Sequence, residues 1–222
     1  MASAASLGIA RFNRQTLIGG GYELVNRTTF EPNPDYFAAL LWRQLVGTAA
    51  LQLDVQQLSP RSVSLTGTAA AQRDVLRVYA FCARSGDASN SSDAAGGVVI
   101  LGLNFSPTQT VNLTLPVRAG VGAGAAGSSR RAWYVRSALA GSGASAAEAL
   151  RAPSVALRSA AAAGDDDAWT TLRLEGTLSE PTLPSLDGVT ESAEAPLVLQ
   201  PQSYAFVLLS GLAPQACGSA SE

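Results

Sequence analysis

The chain opens with one strand, one glycine loop and one helix, and nothing after Gly47 repeats that unit. Residues 9–18, IARFNRQTLI, read as a strand, which Gly19–Gly21 break. Asn33 suits a helix N-cap and Pro34 the first helical position. Asp35 suits the positive end of the helix dipole. Phe37, Leu40, Leu41 and Leu45 then recur at helical spacing, and Gly47 reads as the C′ stop. A single β/α unit cannot cover both faces of its own strand, so this one needs neighbours that the rest of the chain does not supply.

After Gly47 the texture changes to short β-rich runs. They lie at residues 50–55, 75–82, 97–105, 109–117, 132–139, 168–176, 196–201 and 203–211. Several alternate apolar and polar residues, and turn formers separate them, which predicts an antiparallel sandwich. Between the runs lie small-residue stretches at 118–129, 140–149 and 159–167. Their side chains are too small to fill a core, so loop insertions are expected at 118–129 and 140–167. Within the second, Ala-rich 144–151 has the composition of a short helix.

Composition excludes several chemistries. The chain has 222 residues, no histidine and a net charge of −2. Without histidine there is no Ser-His-Asp or Cys-His catalysis and no histidine metal site within it. The charge gives no reason to expect a nucleic-acid partner. Two cysteines, Cys82 and Cys217, are too few for a four-ligand zinc site. In an oxidising compartment they could form one disulfide, and otherwise remain as two thiols. Asn26, Asn90, Asn104 and Asn112 each begin an Asn-x-Ser/Thr triplet, the acceptor pattern for N-linked glycans. These features lean towards a secreted protein. Residues 1–15, however, hold no apolar run of signal-peptide length. Two alternatives stand on the residues alone: a cytosolic protein, or one whose start lies upstream of Met1.

The order RQTLIGGGYELV, PNPDYFAALLWRQLVGT, LRVYAFC, VVILGLNFS and YAFVLLSG with a terminal cysteine resembles the C-terminal portion of heparanase and the plant heparanase-like proteins, glycoside hydrolase family 79. The resemblance runs from about Leu7 to Cys217, and residues 14–48 carry most of it. It implies a mostly β chain: residues 1–47 would be the last β/α unit of a (β/α)8 barrel, and residues 48–222 a β-sandwich beside it. It implies a disulfide between Cys82 and Cys217. It also implies a retaining hydrolase with two glutamates about 5 Å apart, one the acid and one the nucleophile. Both would lie upstream of Met1, together with a signal peptide, so no catalytic residue is assigned here. The resemblance calls for no cofactor or metal. The implied location is secreted or membrane-associated, and the implied partners are a uronic-acid-containing glycan and the remainder of the barrel.

In such a barrel, ligands meet the C-terminal ends of the strands and the loops that follow. Gln15, Gly20, Gly21 and Tyr22 match the positions that contact the uronic-acid sugar in the family, and the spacing from Gln15 to Tyr22 agrees with the plant-type pattern. Glutamine offers a donor and an acceptor, tyrosine a hydroxyl and an apolar ring, and glycine close backbone approach. A bland reading stands beside each: Gln15 as a buried strand amide, Tyr22 as a core aromatic, the glycines as a plain turn. Glu23 and Glu31 read as solvated charges, and Arg14 as a partner for a neighbouring carboxylate. The alternative to an enzyme part is a non-catalytic β-sandwich module that binds glycans or proteins.

Overall fold

In the run GVVILGLN nearly every side chain is apolar, so alternation alone gives it no solvent face. The computed structural model shows why. It describes residues 1–9, 13, 16–53, 75–84, 97–115, 129–140, 142–158, 169–173, 175–176, 181–182, 186–210, 212 and 215–218. In chain order the elements are α1 (Ala2–Ser6), α2 (Pro34–Leu45), β1 (Val46–Leu51), β2 (Leu76–Ala83), β3 (Gly97–Asn104), β4 (Val111–Leu113) and β5 (Ser129–Ser137). There follow α3 (Ala146–Leu150), β6 (Val155–Arg158), β7 (Trp169–Thr171), β8 (Glu175–Gly176), β9 (Pro181–Thr182), β10 (Val189–Ser192), β11 (Leu197–Leu199), β12 (Ser203–Ser210) and α4 (Gln215–Gly218).

Among the described residues, eight strands join in one antiparallel sheet, ordered β1-β2-β3-β12-β5-β6-β7, with β10 also paired to β5. Its central strands are apolar on both faces. On one face Phe81, Val99, Leu101, Trp133, Val135 and Phe206 pack with Phe37 and Leu41 of α2 and Ala2 of α1. On the other, Ala80, Val98, Ile100, Ala132, Ala205 and Val207 pack under Val111, Leu197 and Leu199 of the small β4–β11 sheet. The molecule is thus mostly β, and its antiparallel sheets are consistent with the expected sandwich, one sheet large and the other small. The close approach of the layers is set at Gly102, where an added Cβ would lie 3.0 Å from Leu199 Cδ1.

Several expectations need correcting. Helix α2 begins where expected, but Asn33 does not cap it with its side chain; Nδ2 donates instead to Glu23 O at 2.7 Å. Gly47 is not a helix stop. The helix ends at Leu45 and Val46 is already extended, so Gly47 lies inside β1. Its glycine is required by packing: a Cβ there would meet Cys82 O at 2.9 Å and Ala83 O at 3.0 Å. Half of the expected strand 9–18 lies outside the described residues. Among the described residues of that run, Ile18 makes an isolated bridge to Val25. The stretch 140–167 is not simply an insertion. It contains α3, whose Ser145 and Glu148 form a capping box, and β6, whose Val155, Ala156 and Leu157 are buried. The 118–128 stretch lies outside the described residues, and Ser129 begins β5.

Two features fasten the sheet. Cys82 and Cys217 are joined, with Cα atoms 5.4 Å apart, tying α4 to β2 across 135 residues of sequence. A buried ionic cluster fixes β10 to β5. Arg130 is 1% exposed and stands opposite Glu191 in register. Its Nη2 donates to Glu191 Oε2 at 2.9 Å, while Nη1 and Nη2 donate to the carbonyls of Ala195 and Pro196. Tyr134 donates its hydroxyl to the same carboxylate at 2.8 Å, and Arg158 Nη1 donates to Glu191 Oε1 at 3.0 Å. The Glu191 carboxylate is therefore shared by two guanidiniums, one of which has no access to water.

Three outcomes follow. Replacing both cysteines by alanine lowers the unfolding free energy by about 2–5 kcal/mol in urea titrations, since closing so long a loop restricts the unfolded chain. Glu191→Gln costs about 3 kcal/mol in the same assay, because the Arg130 charge stays buried without its counter-ion. The third concerns alkaline pH. Burial and then Glu191 raise the Tyr134 phenol above its ordinary range, and burial and then Asp35 do so for Tyr204. A folded-state pKa raised above the unfolded one means stability is intact below about pH 10 and is lost as pH rises towards the folded values. Urea midpoints are thus expected to hold to about pH 10 and then fall, less steeply for Tyr204→Phe.

Candidate functional site

The segment before α2 is built around one carboxylate. Glu23 Oε2 accepts from Gly19 N at 2.8 Å and Oε1 accepts from Arg27 N at 2.9 Å. The Glu23 carbonyl accepts from Asn33 Nδ2, so this residue joins the glycine loop to the start of α2. That corrects its reading as a solvated charge. Backbone bonds from Leu24 N to Thr16 O and from Val25 N to Leu17 O close the loop's base. Thr16 Oγ1 donates to Gly19 O across it. Gly19 and Gly20 have φ of +83° and +116°, backbone that side chains rarely tolerate, so two of the three glycines are demanded by the turn itself.

The loop presents its tip outward. Gly20 and Gly21 are exposed, and a Cβ on Gly21 would meet nothing within 4 Å. Tyr22 is 76% exposed, so it is not a core aromatic of this chain. The structure therefore brings Gly20, Gly21 and Tyr22 together on one open loop. Gln15 and Arg14 lie outside the described residues. Leu17, Ile18 and Phe30 are exposed in the same segment. A hydroxyl, a ring face and accessible backbone are what sugar recognition uses.

Asp35 lies in the first turn of α2, as its helix-terminal reading requires, and its charge reaches the buried Tyr204 hydroxyl of β12. Glu31 is exposed. Trp42 packs edge-on against Phe81 at 5.0 Å, and Trp133 is buried with Nε1 donating to Leu186 O at 2.6 Å, so both are structural. Among the described residues, no cluster of cysteine and carboxylate side chains could hold a metal. No helix there is long and apolar enough to cross a membrane.

Of the glycan triplets, Asn90 lies outside the described residues. Asn26 is half-buried, and its Oδ1 accepts from Thr28 N and Thr29 N, shaping the turn before α2. Asn112 is exposed on β4. Asn104 is 1% exposed, and its Nδ2 lies within hydrogen-bond distance of three carbonyls.

No family model matches the chain. It is similar to heparanase-like protein 1 of Arabidopsis thaliana, 31% identical over 221 residues, covering 92% of this chain and 34% of the relative. It is also similar to baicalin-beta-D-glucuronidase of Scutellaria baicalensis, 33% identical over 50% of the chain and 17% of that protein. Heparanase of Gallus gallus is 37% identical over 51% of the chain and 18% of its own length. The chain thus spans about a third or less of the length of these relatives. Sequence and relatives agree that the chain is heparanase-like and corresponds to a C-terminal portion of such a protein.

Proposed function

We propose that the chain is the C-terminal part of a retaining endo-β-glucuronidase-like hydrolase acting on uronic-acid-containing glycans. A glycosidase-like function in general is supported by the heparanase and glucuronidase relatives. The finer reading rests on one observation: a glycine loop held by Glu23 that puts Gly20, Gly21 and Tyr22 in the open, within a chain that aligns over 92% of its length with a heparanase-like protein. In this reading residues 1–47 complete a barrel whose other units precede them. The exposed Leu17, Ile18 and Phe30 are surfaces those units would cover. The two glutamates belong to the preceding units. Gln15, Gly20, Gly21 and Tyr22 orient a uronic-acid ring against them, the tyrosine through its hydroxyl and ring face and the glycines through backbone N–H directed at the sugar carboxylate.

The disulfide and the exposed Asn112 triplet favour a secretory or membrane-associated location for the whole protein. The competing reading, a non-catalytic sandwich that binds glycans, draws on the apolar and aromatic exposure of the same loop.

Residues 1–222 alone are expected to show no hydrolysis of aryl β-glucuronides. The product of the extended reading frame is expected to hydrolyse them with retention at the anomeric carbon. In that longer protein Tyr22→Ala lowers kcat/KM about tenfold, the equivalent of about 1.4 kcal/mol of lost transition-state contact. Hydrolysis by residues 1–222 alone would overturn the proposal. Saturable binding of uronic-acid oligosaccharides by both forms, with hydrolysis by neither, would favour the binding module.

A further inference from the structure

Asn104 and Asn112 lie eight positions apart, carry the same acceptor pattern and occupy opposite environments. Asn104 closes β3. Its Nδ2 donates to Gln109 O at 2.7 Å, Gln200 O at 2.9 Å and Leu199 O at 3.1 Å, while Oδ1 accepts from Ser106 N at 2.9 Å. One amide thereby pins the turn after β3 and the connection from β11 to β12. Asn112 is the middle residue of β4. Its neighbours Val111 and Leu113 pack into the core, so alternation turns Asn112 outward, and Thr114, the hydroxyl of its triplet, is exposed as well. Directly across the strand pair is Val198, 43% exposed.

We propose that Asn112 is the acceptor for an N-linked oligosaccharide on the outer β4–β11 layer, and that Asn104 is barred from carrying one by the fold. The donor is a lipid-pyrophosphate-linked oligosaccharide. Nδ2 gives up one proton and bonds to C1 of the first sugar. The C1–O bond breaks, and the lipid pyrophosphate leaves with the electron pair. At Asn112 the product is accommodated in solvent, and Val198 gives the apolar side of the first sugar a surface to lie against. At Asn104 the product would lose one of two N–H groups and place a ring where three carbonyls stand within 3.1 Å. A chain modified there cannot close the β11–β12 corner. Attachment at Asn104 and this fold therefore exclude each other.

The inference rests on the secretory reading for its biological occurrence, but its chemistry is testable apart from it. The full chain is produced in a eukaryotic host behind an added secretory leader. The soluble, disulfide-bonded fraction is treated with a glycan-releasing amidase in heavy-oxygen water, which marks each formerly glycosylated asparagine as labelled aspartate. Peptide mass spectrometry is expected to find the label at Asn112 and none at Asn104. Asn112→Gln is expected to lose one glycan's mass and to keep the urea midpoint of the enzymatically deglycosylated parent. Asn104→Gln is expected to lose most of the soluble yield while its retained chains stay modifiable at Asn112. Label at Asn104 in the soluble fraction, or none at Asn112, overturns the proposal. Because the leader is supplied, failure of the secretory reading registers elsewhere, as a full-length natural protein bearing no glycan at any triplet.

Discussion

A sheet that is apolar on both faces cannot exist in water without two covers, and this requirement organises the molecule. On β3 and β12, successive residues feed opposite clusters: Val99, Leu101 and Phe206 to one, Val98, Ile100 and Val207 to the other. The first is covered by α1 and α2, the second by the β4–β11 pair. Burying each large aliphatic side chain contributes about 1.5–3 kcal/mol, so neither cover is dispensable. The glycine loop inherits its position from this arrangement. It is attached to α2, and α2 is held to the sheet by Phe37 and Leu41.

Polar groups then decide which arrangement of covers forms. Hydrophobic burial has no direction, but the Arg130–Glu191 pair is satisfied in one register of β10 against β5. Arg158 and Tyr134 add contacts from β6 and β5 to the same carboxylate. Asn104 does the equivalent work at the end of β3, and the disulfide at β2. Buried ion pairs of this kind add little to net stability over an apolar substitute. Their role here is to make misregistered alternatives costly, because a slipped strand would bury an unpaired guanidinium.

Much of this was legible in the sequence, and the failures have physical causes. The run 97–105 and the run 203–211 were readable as strands because length and β-branched content leave few alternatives, and α2 because its start signals precede a regular apolar face. Strand β6 was missed because VALR is short and flanked by small-residue tracts that obscure it; its identity comes from pairing with β5 and β7, which no local pattern encodes. Strand β10 was missed because VTES is polar and is stabilised by one long-range carboxylate. Gly47 was misread because glycine serves two ends, the left-handed stop and the close strand crossing, and the sequence does not distinguish them. At the candidate site, the glycines and Tyr22 were singled out from the resemblance. Glu23 was not, since a carboxylate that organises a loop looks the same in sequence as one in solvent.

Helix α2 passes into β1 with no residue between Leu45 and Val46. A joint of that kind has no linker residue to absorb a change of angle. Rotation of the helix about its axis would have to twist the edge strand that pairs with β2, and sliding it would shear the same ladder. The loop carrying Gly20–Tyr22 is therefore geared to the sheet through a stiff coupling. A force applied at that loop passes into the β-rich body, which acts less as an appended module than as the frame that holds the loop.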